Sequence, residues 1–362
     1  MIEFDIQSHL RKYLVRTFSS LKEAIQSSSE GSDPFVLIDE QVAQLYAGQI
    51  DSSCNPDRMI KIKASEELKS YQNLEPLFVS LIEKGLNKKS KLLVIGGGVT
   101  QDIGCFIAST YSRGIQWDFI PTTLLAQCDS CIGSKSSLNI GRFKNQLGTF
   151  YPPHKVSIVF SVLNTLAESD IHSGIGEIIK LALIEGGEDL AETKKDLKAW
   201  KDSPADKELA LSKMISRSLQ IKKRYIEQDE FDQGIRNVLN YGHTFGHAYE
   251  SATQYAIPHG IAVLLGMSTA TYFSEKLGMV PNGSYQELDS WIQDLYTPFQ
   301  KHLQPTRIEE ILKAMKTDKK NSNGKISCIL TRGPSKMERA PLNLDEDVRP
   351  LMTSFLKQLG SF

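Results

Sequence analysis

The most specific chemical pattern in the chain is a stretch of twelve residues, Arg-Asn-Val-Leu-Asn-Tyr-Gly-His-Thr-Phe-Gly-His, running from Arg236 to His247. On a helix, Arg236, Asn240, His243 and His247 fall four, three and four residues apart, which lines a guanidinium, an amide and two imidazoles along one face. A core-facing stripe of that kind requires a ligand, because buried polar groups need partners. A solvated face is the plain alternative, but Gly242 and Gly246 lower helix propensity and bring no solubility. His243 and His247, at i and i+4, are spaced to chelate a metal. Two further candidates are Glu177, in Gly-Ile-Gly-Glu-Ile-Ile-Lys, and His259, in Ile-Pro-His-Gly-Ile-Ala. One carboxylate with two imidazoles leaves coordination positions open, the style of a catalytic zinc site. Which imidazoles would bind stays open at this level, and Glu177 with Lys180 also reads as an ordinary helical ion pair.

A second group of chemistry-bearing residues lies earlier. Gly96-Gly97-Gly98 directly follows the apolar run Lys91–Ile95, an arrangement that lets a backbone approach a pyrophosphate. It is not the G-x-G-x-x-G fingerprint, so a tight turn explains it equally well. Asp39 closes another apolar run, where it could accept ribose hydroxyls or cap a helix. The polar stretch 129–145 offers Asp129, Lys135, Lys144 and Asn145 to a hydroxylated, phosphorylated ligand. Cys128 and Cys131 form a lone C-x-x-C without a second pair or thioredoxin-like surroundings, which argues against a redox or zinc role. Met315–Lys320 adds cations near the end of the chain.

These residues need elements to hold them. Phe35–Asp39, Lys91–Ile95 and Ile115–Ile120 read as buried strands, Leu74–Lys84 as a helix between two of them, and the alternation implies a parallel sheet. Beyond about residue 155, long helical periodicities take over at 175–185, 205–227, 236–252, 260–277 and 284–299. An Asn321–Gly324 turn leads into one extra strand at 326–331. The expected organisation is an α/β domain over 1–155 and a mainly α-helical domain over 156–362, joined near Tyr151-Pro152-Pro153. Across 362 residues, 42 Lys plus Arg against 43 Asp plus Glu exclude the basic field of a non-specific nucleic-acid binder. No apolar run reaches the ~18–20 residues of a membrane span. The N-terminus lacks the order of a secretory signal, and five cysteines are too few for a disulfide scaffold, so a cytoplasmic location is expected.

Taken in order, the motifs resemble the 3-dehydroquinate synthase family of sugar-phosphate cyclases, from about Asp39 to Gly324. Its Gly-Gly-Gly-Val-x-x-Asp matches Gly96 to Asp102, its Tyr-x-Arg-Gly matches Tyr111 to Gly114, and its Pro-Thr-Thr-Leu-Leu-Ala-Gln-x-Asp-Ser matches Pro121 to Ser130. Lys144-Asn145, Glu177 with Lys180, and the Arg-x-x-x-Asn-x-x-His-x-x-x-His series from Arg236 complete the set. This chain departs from the pattern at five places. Gln101 and Ser134 replace glycines, Gly176 replaces an alanine, Ile261 replaces an acid, and Asp232 stands where the family carries a glutamate.

The resemblance implies an N-terminal Rossmann-like, NAD-binding α/β domain and a mainly α-helical, metal-binding C-terminal domain. It implies Zn2+ or Co2+ held by Glu177, His243 and His259, with His247 as a general acid/base. NAD would meet Asp39, Glu66, Lys69, Gly97, Gly98, Val99, Asp102, Thr122, Thr123, Lys144 and Thr165. The substrate, a small phosphorylated sugar acid, would meet Arg113, Asp129, Lys135, Asn145, Lys180, Lys222, Arg236, Asn240 and Lys319 or Lys320, together with the metal ligands and His247. Lys180, Asp129, Asp232, Arg236 and Asn240 join His247 as catalytic residues. The implied reaction turns 3-deoxy-D-arabino-heptulosonate 7-phosphate into 3-dehydroquinate and phosphate, a shikimate-pathway step. It proceeds through transient oxidation, phosphate elimination, re-reduction and aldol closure. Alternatives are a sedoheptulose 7-phosphate cyclase, an amino-dehydroquinate synthase, and a metal-dependent NAD(P) alcohol or glycerol-phosphate dehydrogenase. The cations Arg236 and Lys222 favour the carboxylate-bearing substrate, because unpaired charges in a closed site are costly. A homodimer is the family habit, and neither nucleic acid nor membrane is an expected partner.

Overall fold

The computed structural model describes residues 2–141, 143–316 and 325–359. The expected apolar runs form strands that are buried along almost their whole length. In chain order the strands of the first half are β1 (Glu3–Gln7), β2 (Lys12–Thr17), β3 (Phe35–Asp39), β4 (Met59–Ile62), β5 (Lys91–Gly96), β6 (Gln116–Pro121), β7 (Leu138–Ile140), β8 (Phe143–Leu147) and β9 (Lys155–Ile158). Seven of them make one sheet in the order β1-β2-β9-β6-β5-β3-β4. Every pairing in it is parallel except β1 with β2. Strands such as β3 and β5 carry no polar alternation, as a sheet covered on both faces requires. The β1–β2 hairpin lies at the edge. Its outer residues are charged and cross-paired, Lys12 with Asp5 at 2.7 Å and Arg16 with Glu3 at 3.1 Å, which blunts an open edge. β7 and β8 form a separate antiparallel pair.

The chain divides into two compact units. The first comprises Met1–Ala167 and Lys222–Asp232, the second Glu168–Ile221 and Gln233–Phe362. The first unit thus runs past residue 155 and takes in one segment from the helical half. Within it, α1 (Gly98–Thr110) leaves β5 immediately after Gly97. It rides close on that strand, since a Cβ on Gly104 would stand 2.4 Å from Val94 Cγ2.

The second unit is built on α2 (Glu168–Glu185), the start of α3 (Lys207–Gln228), α4 (His243–Ala252) and α5 (His259–Lys276). The late strand is present as β10 (Lys325–Thr331), paired antiparallel with β11 (Met337–Asn343). Its leading turn, 321–324, lies outside the described residues. Residues Gly260–Glu275 of α5 are all buried, so it is a central helix enclosed by its neighbours. The neighbours approach it through glycine. A Cβ on Gly260 would lie 1.8 Å from Ser173 O, one on Gly176 2.2 Å from Gly260 O, and one on Gly266 2.0 Å from Gly242 O. No described helix is long and apolar enough to cross a membrane.

One expected element is corrected. The periodicity over 236–252 predicts a single helix, whereas Ile235–Asn240 form a 3-10 turn and α4 starts at His243. Between them Gly242 takes φ +78°, a left-handed conformation that ends the first turn. Its Cβ position is filled by Val263 O and Met267 Cγ, both at 2.8 Å. Arg236 and Asn240 therefore do not share a helix face with His243 and His247. Gly260→Ala is expected to destabilise the fold by roughly 1–3 kcal/mol through overpacking, read from the denaturant midpoint at unchanged slope. An unaltered midpoint would mean that α2 and α5 are free to separate.

Candidate functional site

In the second unit, α2 supplies Glu177 and Lys180, α4 supplies His243 and His247, and α5 begins with His259. His259 Nε2 and His243 Nε2 lie 3.4 and 3.7 Å from Glu177 Oε1. That oxygen is buried and accepts no hydrogen bond among the described residues, while Oε2 is held by Lys180 Nζ. A buried carboxylate oxygen without a donor is costly unless a cation serves it. Ligands about 2.0–2.1 Å from a tetrahedral ion stand roughly 3.3–3.4 Å apart, close to the separations found here. The coordinating nitrogens of His243, His247 and His259 also lie within 4.8 Å of one another. The donor set thus fits a divalent ion: Glu177, His243 and His259 lie together, with His247 beside them.

Both imidazoles are oriented from behind. His243 Nδ1 donates to Tyr241 O at 3.3 Å, which leaves the Nε2 lone pair facing Glu177. His259 Nδ1 meets Glu250 Oε2 at 3.2 Å. Burial pushes the Glu177 carboxyl up, but Lys180, His243 and His259 outweigh it and hold it well below the usual value. Burial and the nearby Lys180 charge depress His243, favouring the neutral ring that a ligand must be. Burial opposes charge on His259 too, yet Glu250 and Glu177 prevail and raise it to about 10.

In the first unit, the glycine turn separates into two functions. A Cβ on Gly96 would strike Thr100 Oγ1 at 2.5 Å and one on Gly97 Thr123 Cγ2 at 2.8 Å, so packing requires both glycines. Gly98 has no such neighbour, the nearest atom being Ser130 Oγ at 3.9 Å. Its open main chain at the start of α1 suits a dinucleotide phosphate. Around it, Lys69 Nζ pairs with Asp102 Oδ2 at 2.6 Å and Lys144 with Glu66 at 3.6 Å. Asn139 joins the group, donating to Glu66 and accepting from the Asn145 N–H at 3.0 Å. Thr122 N–H donates to Gly96 O, and Val99 is half-buried beside the turn. Asp39 caps the helix after β3 through Oδ1, and Thr165 Oγ1 meets Tyr46 OH at 3.0 Å.

The anion-binding candidates of this unit are already engaged. Lys222 Nζ donates to Asp129 O at 2.7 Å and pairs with its Oδ2 at 3.0 Å, and Lys135 pairs with Asp232 at 2.7 Å. Arg113 stands exposed on the turn after α1. In the second unit Arg236 is buried, and Asn240 Nδ2 donates to Asn237 O at 3.0 Å. Lys319 and Lys320 lie outside the described residues. Cys128 and Cys131 are buried, and burial pushes the Cys131 thiol up to about 12, far from a reactive thiolate.

The profile of the 3-dehydroquinate synthase N-terminal region matches residues 59–173, and that of its C-terminal region matches 174–321. The 3-dehydroquinate synthase of Alkaliphilus metalliredigens is 37% identical over 87% of this chain and 88% of its own. That of Dictyoglomus thermophilum is 36% identical over 96% of each. The chain belongs to the 3-dehydroquinate synthase family. Among solved structures, 2-deoxy-scyllo-inosose synthase complexed with carbaglucose-6-phosphate, NAD+ and Co2+ superposes with a TM-score of 0.85 at 21% identity, covering 98% of this chain and 100% of that one. The 2-epi-5-epi-valiolone synthase of Streptomyces hygroscopicus with NAD+ and Zn2+ bound gives 0.80 at 23%, covering 96% of each. These likenesses establish a fold common to the 3-dehydroquinate synthase family and related cyclases.

Two residues that sequence reasoning passed over complete the picture, Glu250 and Asn139. Glu250 stands seven residues after His243 on α4, a helical repeat that could have singled it out. Asn139 has no such signal, since its partners come from two separate segments, at Glu66 and Lys69 and at Asn145. Glu250→Gln is expected to weaken Zn2+ binding roughly 10–100-fold by releasing the His259 ring. Chelator competition on the folded variant measures this, and parent-like affinity would show that His259 is oriented without Glu250.

Proposed function

We propose that the protein converts 3-deoxy-D-arabino-heptulosonate 7-phosphate into 3-dehydroquinate and phosphate, with NAD and a divalent ion, Zn2+ or Co2+, as resident groups. The observation that carries this reading is the buried, donor-free Glu177 Oε1 facing two imidazole nitrogens. Relatives at 36–37% identity are named for this synthase, and two fold neighbours hold NAD+ with Co2+ or Zn2+, which supports the same pair here. When bound, NAD supplies a reversible hydride acceptor and the ion lowers the pKa of a substrate hydroxyl.

The chain's own residues then have separate tasks. Glu177, His243 and His259 hold the ion, and His247, one helical turn from His243, relays the hydroxyl proton near neutral pH. Lys180, Asn145, Arg113 and Lys319 or Lys320 hold the phosphate. Arg236 engages both oxygens of the substrate carboxylate, and Lys135, Lys222 and Asn240 are further substrate contacts. Asp39, Glu66, Lys69, Gly97, Gly98, Val99, Asp102, Thr122, Thr123, Lys144 and Thr165 receive the dinucleotide. Because Lys222 and Lys135 rest on Asp129 and Asp232, an anionic substrate exchanges partners with internal carboxylates instead of meeting bare ammonium groups. Phosphate leaves as the neighbouring C–H gives up its proton, made acidic by a transient ketone that is afterwards reduced. The ring then opens and recloses through an aldol step, with no net redox change. The reading includes a cytoplasmic homodimer as the working form.

Phosphate release in the presence of Zn2+ and NAD tests the proposal. Release from the heptulosonate without accumulating NADH is expected. Release from sedoheptulose 7-phosphate alone would overturn the substrate, and stoichiometric NADH without phosphate would identify a dehydrogenase. Glu177→Ala and His243→Ala should lose bound metal and turnover together, and a variant with full zinc and the parent rate would refute the ligand assignment. Arg236→Gln should lower kcat/KM on the heptulosonate by roughly 30-fold or more, the lower end for removing one partner of a buried charge pair. An unchanged value would exclude Arg236 from carboxylate recognition.

A further inference from the structure

Gln101 departs from the family's glycine and occupies the first turn of α1, three residues beyond Gly98. It is 6% exposed, and it grips a single residue of the 129–137 loop at two points. Its Nε2 donates to Ser130 O at 2.6 Å, and its Oε1 accepts from Ser130 Oγ at 2.6 Å. The next residue does the same at the far end of the loop. Asp102 Oδ1 accepts from the Ser137 N–H at 2.9 Å and Oδ2 from Ser137 Oγ at 3.0 Å, while Oδ2 also holds Lys69. Ser130 directly follows Asp129, whose carbonyl and carboxylate both engage Lys222, and the loop carries Lys135. Ser130 Oγ is moreover the atom nearest the open side of Gly98, at 3.9 Å from where its Cβ would be. Two consecutive residues of one helical turn thus tether both ends of the loop to the glycine turn.

We propose that Gln101 is a positioning residue through which dinucleotide binding at the glycine turn orders the substrate loop 129–137. The proposal rests on the NAD-binding reading above. A glycine at 101 has no side chain to make the Ser130 clamp, so the coupling is a property of this chain. NAD binding fixes the start of α1, Gln101 passes that restraint to Ser130, and Asp129 with Lys222 is held in register before substrate arrives.

Amide hydrogen exchange on the full chain, with and without NAD+, tests this. In the parent, NAD+ should slow exchange over both 96–102 and 129–137. In Q101A, and in Q101G as a second variant should the first fold poorly, slowing should persist at 96–102 and vanish at 129–137. KM for the heptulosonate should then rise roughly tenfold, with NAD+ affinity by calorimetry altered less than about twofold, the scale of lost buried hydrogen bonds. Equal loop protection in parent and variants overturns the proposal, as does lowered thermal stability with unchanged KM. Failure of the parent to bind NAD+ overturns the cofactor reading and this proposal together, whereas binding that leaves loop exchange unaltered overturns this proposal alone.

Discussion

Three helix backbones pressed into contact set the geometry on which the candidate metal centre depends. Each member of the cluster is the sequence neighbour of a contact glycine. Glu177 follows Gly176, His243 follows Gly242, His247 follows Gly246, and His259 precedes Gly260. Where a helix touches its neighbour through bare backbone, the adjacent side chains are the ones delivered to the seam. Four donors on three elements are thereby brought within a few ångströms without long, flexible reaches, and the arrangement is as stiff as the packing itself. Lys180, Tyr241 O and Glu250 then fix the remaining degrees of freedom, so the donors are aimed by the protein before any ion arrives.

The first unit solves a different problem, that of keeping several cations ready in a partly closed place. Lys222 and Lys69 are both buried, yet neither is bare, because Asp129 and Asp102 accompany them. Burial pushes the Asp102 carboxyl up, and Lys69 and Ser137 offset that only in part. Such pairs contribute little to stability on balance. Their value lies in arrangement, since Asp102 also holds Ser137 and Asp129 directly precedes Ser130.

Much of this was legible in the residues. Unbroken apolar runs marked β3 and β5, because burial on both faces leaves no room for polar alternation. The order of motifs marked the family and nominated ligands that the fold does bring together. What escaped was non-local. Counting by 3.6 carried a helix straight through Gly242, whose left-handed turn is imposed by Val263 and Met267 on another helix. The β1–β2 hairpin gave only a weak signal, being half-exposed and charged. The same holds for Gly176, where the family's alanine reads as an interchangeable small residue until the carbonyl of Gly260 is seen against it.

The return of residues 222–232 to the first unit bears on how the molecule is made. Lys222, Glu230 and Asp232 are the partners of Asp129, Ser134 and Lys135, but the stretch 168–221 must emerge from the ribosome before them. The acid and the lysine of the nascent N-terminal half therefore stay unmatched until the first segment of the second unit, 168–221, has been synthesised. A gene cut at Ala167 would encode a piece that keeps its sheet and its glycine turn but lacks the side chains that complete its charged loop. The two units are interleaved along the chain, and so in the order of their synthesis.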